Sequence, residues 1–110
     1  AKKINEKTAQ NFDKRIILSV GRGTSGEYTD TANLNSAYGA YLYWASTAGQ
    51  DQYSVGVILY VNKGWMIIPI KETDGGTNIT FSINGSILTM TKSSSTFPSA
   101  GGVIALGSSI

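Results

Sequence analysis

Apolar positions in this chain come in short runs separated by turn residues. From residue 14 onward Gly, Ser, Thr, Tyr, Val and Ile dominate, and the breaks recur at the spacing of all-β domains. The pattern predicts seven strands, at 15–20, 37–45, 53–61, 65–71, 78–83, 86–92 and 102–106. Residues 1–13 differ. "INEKTAQNF" is made of helix formers and sets Ile4 and Phe12 on one face, a stretch too short to hold a helix unaided. The expected organisation is an N-terminal attachment segment, 1–13, followed by one β-domain, 14–110.

The clearest local unit is "NITFSINGSILTMTK". Asn84-Gly85 is a strong hairpin signal, because a type I′ turn needs positive φ at both central residues. A two-residue loop there sets Ile83 opposite Ser86, Phe81 opposite Leu88 and Ile79 opposite Met90, on one almost wholly apolar face. A second hairpin is expected at Asn62-Lys63-Gly64, with Gly64 left-handed, Val61 opposite Trp65 and Leu59 opposite Ile67. "AYGAYLYWA", "YSVGVILYV" and "WMIIPI" are apolar on both faces, as in strands covered on both sides. In a small all-β protein the second cover can be another subunit. Pro69 lies inside its run, which implies an edge strand or a bulge there. The fold class expected is an antiparallel β-sandwich or jelly-roll-like domain of about seven strands. Connected as a meander, it puts residues 21–36, 62–64 and 84–85 at the end away from the N-terminal segment. Residues 46–52, 72–77 and 93–101 fall at the near end.

Composition narrows the chemistry. The 110 residues suit one domain. There is no Cys, so disulfides and thiolate metal sites are excluded. There is no His, which removes the commonest general base and metal ligand and any Ser-His-Asp arrangement. A net charge of +2 does not imply a nucleic-acid surface, although six of the nine basic residues fall in 1–22. No window is apolar enough for a membrane-spanning helix. No metal or cofactor is expected.

Gly21-Arg22-Gly23-Thr24-Ser25-Gly26 spells G-x-G-x-x-G after the apolar run "RIILSV". A phosphate cradle requires a helix after the glycines and an acid about 20 residues on. The next residues, "EYTDTANLNSAYGAYLYW", have no helical period, and Ala45-Ser46-Thr47 stand where the acid belongs. The glycines therefore read as the start of a long polar loop, Gly21 to Ser36. The seven carboxylates all fall in expected turns, loops or the N-terminal segment, without the facing pair a glycosidase needs. "ETDGGTN" lacks the spaced acids of a calcium loop. Tyr28, among Gly, Glu, Thr and Asp, has the surroundings of a recognition residue; the alternative is a Tyr folded against the sheet.

"GAYLYWASTAGQDQYSVGVILYV" and "NITFSINGSILTMTKSSSTFPSAGGVIALG" resemble the C-terminal β-domains of bacteriophage tail fibres, head fibres and related virion spikes. The likeness is one of strand order and composition over about residues 37–107, with no invariant functional motif. It implies a homotrimeric, non-enzymatic virion protein, located on the phage particle, whose loops contact a host-surface glycan or protein. On that reading Arg22, Tyr28, Asp30, Asn62, Lys63 and Asn84 are candidate receptor contacts. Lys2, Lys3, Ile4 and Phe12 are candidates for attachment to other virion proteins. The long stalk common in that family is not among these residues, which keeps capsid decoration, without receptor binding, open as the alternative. A small glycan-active enzyme is the third and weakest reading.

Overall fold

Strands in this chain form where β-branched and aromatic residues alternate between a dry face and a wet one. The computed structural model describes residues 15–23, 26–48, 51–73, 77–94 and 98–107. The segment 1–13, with Lys2, Lys3, Ile4 and Phe12 and its expected helix, lies outside the described residues. Among the described residues there are eight strands: β1 (Ile16–Val20), β2 (Tyr28–Asn33), β3 (Ala40–Thr47), β4 (Gln52–Val61), β5 (Gly64–Glu72), β6 (Ile79–Asn84), β7 (Ile87–Lys92) and β8 (Ser99–Ala105). They form a five-stranded sheet in the order β1-β8-β3-β4-β5 and a three-stranded sheet in the order β2-β7-β6. Every pairing is antiparallel. The two sheets pack face to face as a β-sandwich.

The core lies between them. The large sheet contributes Leu18, Val20, Tyr41, Tyr43, Ala45, Ile58, Val103 and Ala105; Ile79, Leu88 and Met90 answer from the small one. Tyr43 meets Phe81 across the gap at a ring separation of 5.0 Å. At one end Tyr41 packs on Trp65 at 5.6 Å and Tyr38 at 6.0 Å, and its hydroxyl accepts the Asn35 backbone N–H at 2.9 Å. Asn35 also caps the 3-10 turn Ser36–Tyr38, its side chain accepting from the Ala37 N–H.

Four expectations need correction. The polar stretch 21–36 is not one loop, because Tyr28–Asn33 pairs with β7 as an edge strand. The Asn84-Gly85 hairpin turns one residue later. Asn84 pairs with Ile87, so Gly85 and Ser86 form the loop. Gly85 has φ 63° and Ser86 is not left-handed, which is the type II′ pattern rather than I′. Ile83 then faces Leu88 and Phe81 faces Met90; the shift is two in register, so the same residues stay on the core face. The other hairpin has a two-residue loop, with Asn62 (φ 52°) and Lys63 (φ 67°) both left-handed and Val61 opposite Gly64. That shift is one in register, and it moves Trp65 and Ile67 inward and Met66 and Ile68 outward.

The meander is the fourth correction. With β2 in the other sheet, β3 runs parallel to β1, and the hairpin ends exchange. Turn 62–63 and turn 85–86 lie at the end where β1 starts, while Gly21 leaves from the opposite end beside the β3–β4 connection. Pro69 behaves as expected. Its strand is the edge of the large sheet, and the register shifts beside it, at Val55/Gly56.

Candidate interaction surface

Register assigns each strand residue to a face. On the outside of the small sheet the rungs read Thr29–Thr91–Thr80, Thr31–Thr89–Ser82 and Asn33–Ile87–Asn84. This is an ordinary wet face, with β-branched hydroxyl residues that suit both strand geometry and water.

The outside of the large sheet is its opposite. One rung reads Ile16–Ile104–Leu42–Val57–Ile68 across all five strands. A second reads Ser19–Gly102–Trp44–Val55–Lys71, and a third Ala40–Leu59–Met66. Lys71 is the one charged side chain that register puts on this face among the described residues, at the end of the edge strand. Trp44 is 40% exposed, Ile16 43% and Met66 50%. Single exposed apolar residues are common on protein surfaces, but a contiguous field of this kind marks an interaction site.

The face has relief. Gly102 lacks a side chain because a Cβ there would stand 2.9 Å from the Leu18 carbonyl oxygen and 3.4 Å from the Trp44 ring nitrogen. Beside it a depression of about 170 Å³ opens, lined by Ile16, Ser19, Leu42, Trp44, Gly102 and Ile104, among others. The larger side chains Leu59, Met66 and Ile68 stand on the β4–β5 half.

A cleft of about 380 Å³ lies on the other side of the large sheet, between β5 and β6, with Tyr43, Ser54, Pro69, Glu72, Thr80 and Phe81 on its walls. Glu72 is the one carboxylate on that lining among the described residues, so the acid pair of glycoside hydrolysis is not assembled there. Burial, with the nearby Glu72 charge, pushes the Tyr43 hydroxyl above its ordinary range. At the same end, the Thr47 and Ser99 hydroxyls lie 2.8 Å apart and both adjoin the Asn78 side-chain oxygen; with one proton each, one hydroxyl donates to the other, which donates to Asn78. This polar pin ties the large sheet to the residue that enters β6.

The candidate receptor contacts do not converge. Arg22 donates to the Ser46 hydroxyl at 2.8 Å, at the end where β1 finishes. Tyr28 opens β2 near that end, half-buried against the core, with its hydroxyl 3.4 Å from an Asp30 carboxylate oxygen. The folded-back alternative for Tyr28 is therefore the one observed. Asn62, Lys63 and Asn84 are exposed at the opposite end, and the first two form a hairpin tip. Gly21 and Gly26 precede a strand, so no helix N-terminus faces them.

The outer face was legible in part: the runs apolar on both sides pointed to a second cover. Which residues face outward on β5 depends on the one-residue hairpin register that the sequence pattern misplaced. Among the described residues no helix is long and apolar enough to cross a membrane, and no three acidic residues gather as a metal site. No family model, curated protein or solved structure matches the chain.

Proposed function

We propose that this domain is a non-catalytic building block of a bacteriophage particle, attached to neighbouring protein through the outer face of its five-stranded sheet. One observation carries the reading: one side of the sandwich is a threonine-rich wet face, and the other is an apolar field, uncovered among the described residues, with a tryptophan near its centre. Leaving several large apolar side chains in water forgoes roughly 25 cal/mol per Å² that burial returns. The phage assignment rests on the resemblance over residues 37–107. The test is incorporation. Particles grown from a gene carrying Trp44→Lys should lack the chain, while wild-type particles carry it. Equal incorporation, or absence of the wild-type chain from purified particles, overturns the reading.

Host adhesion is the second function proposed. It is favoured by Arg22, Tyr28 and Asp30 sharing one end of the sandwich. The labelled domain should then bind some strains of a bacterial panel at micromolar concentration, and Arg22→Ala should weaken that binding. Binding to no susceptible strain leaves structural decoration as the sole role.

A further inference from the structure

We infer that the partner on the outer face is a second copy of this chain, held face to face about a two-fold axis that runs along β3. This deepens the assembly reading above and rests on it.

Size is the first argument. Five strands at about 4.8 Å spacing and seven residues at about 3.4 Å rise give a footprint of roughly 550 Å². Two such faces remove roughly 1,100 Å² together, above the about 1,000 Å² that a specific interface has to clear. Charge is the second. Lys71, at the β5 end of the rung that starts at Ser19, is the one charged strand residue on this face among the described residues, and the two-fold lays it over the Ser19 and Gly102 of the other copy, not over its own counterpart.

Shape is the third. In the order β1-β8-β3-β4-β5, β3 is central. An in-plane two-fold axis along it lays the β5 of each copy over the β1 and β8 of the other, at the same height on the strands. Ile68 lies in the rung of Ile16 and Ile104, and those two residues border the 170 Å³ depression beside Gly102. The second copy's Ile68 therefore meets that depression, and the same contact is made twice, as an isologous interface requires. Two aligned sheets are also a standard packing mode. Residues 1–14 are another occupant that the chain could supply. Their large apolar residues number two, Ile4 and Phe12, too few to cover a field of this size.

Sedimentation equilibrium on the full chain tests this. A dimer is expected, weakened at least a hundredfold by Ile68→Lys and by Met66→Lys, and unchanged by Thr89→Lys on the opposite face. Near-ultraviolet circular dichroism checks that each variant is folded; Met66, half-exposed, is the substitution the fold tolerates best. In a crosslinking experiment, cysteines placed at Ile68 and Ile16, which share a rung, of a Cys-free chain should join copies. A monomer at high concentration, a trimer, or a dimer indifferent to both outer-face variants overturns the two-fold pairing. A monomer whose incorporation into particles is still abolished by Trp44→Lys shows that pairing fails while the assembly reading stands.

Discussion

Gly56 has no side chain because the Tyr43 ring occupies the place where one would stand. A Cβ at Gly56 meets the hydroxyl oxygen and two ring carbons of Tyr43, and the ring is backed by Phe81. Gly56→Ala should therefore cost about 1–3 kcal/mol in urea unfolding, the range of an overpacked core. Gly21→Ala, with nothing near it and an ordinary φ, should stay within about 0.5 kcal/mol. Tyr41 and Tyr43 carry the alkaline limit of stability. Burial is the main cause that raises both hydroxyls above their ordinary value; the Asn35 N–H opposes it at Tyr41, and the Glu72 charge adds to it at Tyr43. The folded state thus holds these protons more tightly than the unfolded state. Their contribution is full below about pH 10 and is lost as pH rises through the folded values. Tyr43→Phe keeps the ring and removes the titration, so its urea midpoint should fall less than wild type between about pH 9 and 12. Lys92 is 2% exposed, and its ammonium reaches the Gly26 carbonyl at 2.9 Å. Lys92→Met keeps the stem that packs in the core and should change stability by less than about 1 kcal/mol, whereas Lys92→Ala should cost about 2 kcal/mol or more. Equal losses would mean the charge, rather than the stem, is what matters.

Among the elements, the hairpins show how turn chemistry and register are joined. Asn62 and Lys63 are both left-handed, a conformation that costs an L-residue about 1–2 kcal/mol. Lys63→Gly should raise stability by about 0.5–1 kcal/mol, and a thermal or urea midpoint reads it. The chain itself offered two hairpin signals and both hairpins exist, but one turns a residue later than Asn84-Gly85 and the other has a loop of two residues where three were expected. Gly85 supports a II′ loop as well as an I′ one, and only the packing of Ile83 on Leu88 decides between them. β2 escaped notice because "YTDTAN" alternates weakly: Tyr28 and Ala32 are its apolar residues, and as an edge strand it is wet on most sides. β8 is the reverse case. It lies between β1 and β3, joining the first strand of the described chain to the middle of the sheet. Deleting residues 99–107 should therefore abolish cooperative unfolding rather than fray one edge, as amide exchange across β1 and β3 would show.

For the whole molecule, the unequal faces of the sandwich matter most. A second copy that binds only the folded chain stabilises it by mass action. If the outer faces pair, the thermal midpoint of the wild type should rise with protein concentration, and that of Met66→Lys should not. A wild-type midpoint independent of concentration would argue against pairing in the same way as a monomer in the ultracentrifuge. The wet face should stay inert: Thr29→Ala and Thr91→Ala remove exposed or half-exposed hydroxyls and should leave assembly unchanged.

The amino-acid pattern alone determined the class: antiparallel β, hairpins near residues 63 and 85, an edge or bulge at Pro69 and central runs apolar on both sides. Those features are local, set by side-chain alternation, by the φ that turn residues allow and by the missing N–H of proline. Tertiary structure decided the rest. It moved Tyr28–Asn33 into a second sheet, reversed which turns share an end, and sent Ile68 and Met66 outward. The first two depend on pairings between residues far apart in sequence and the third on a one-residue hairpin register, and a period of two cannot say which of several apolar faces meets which.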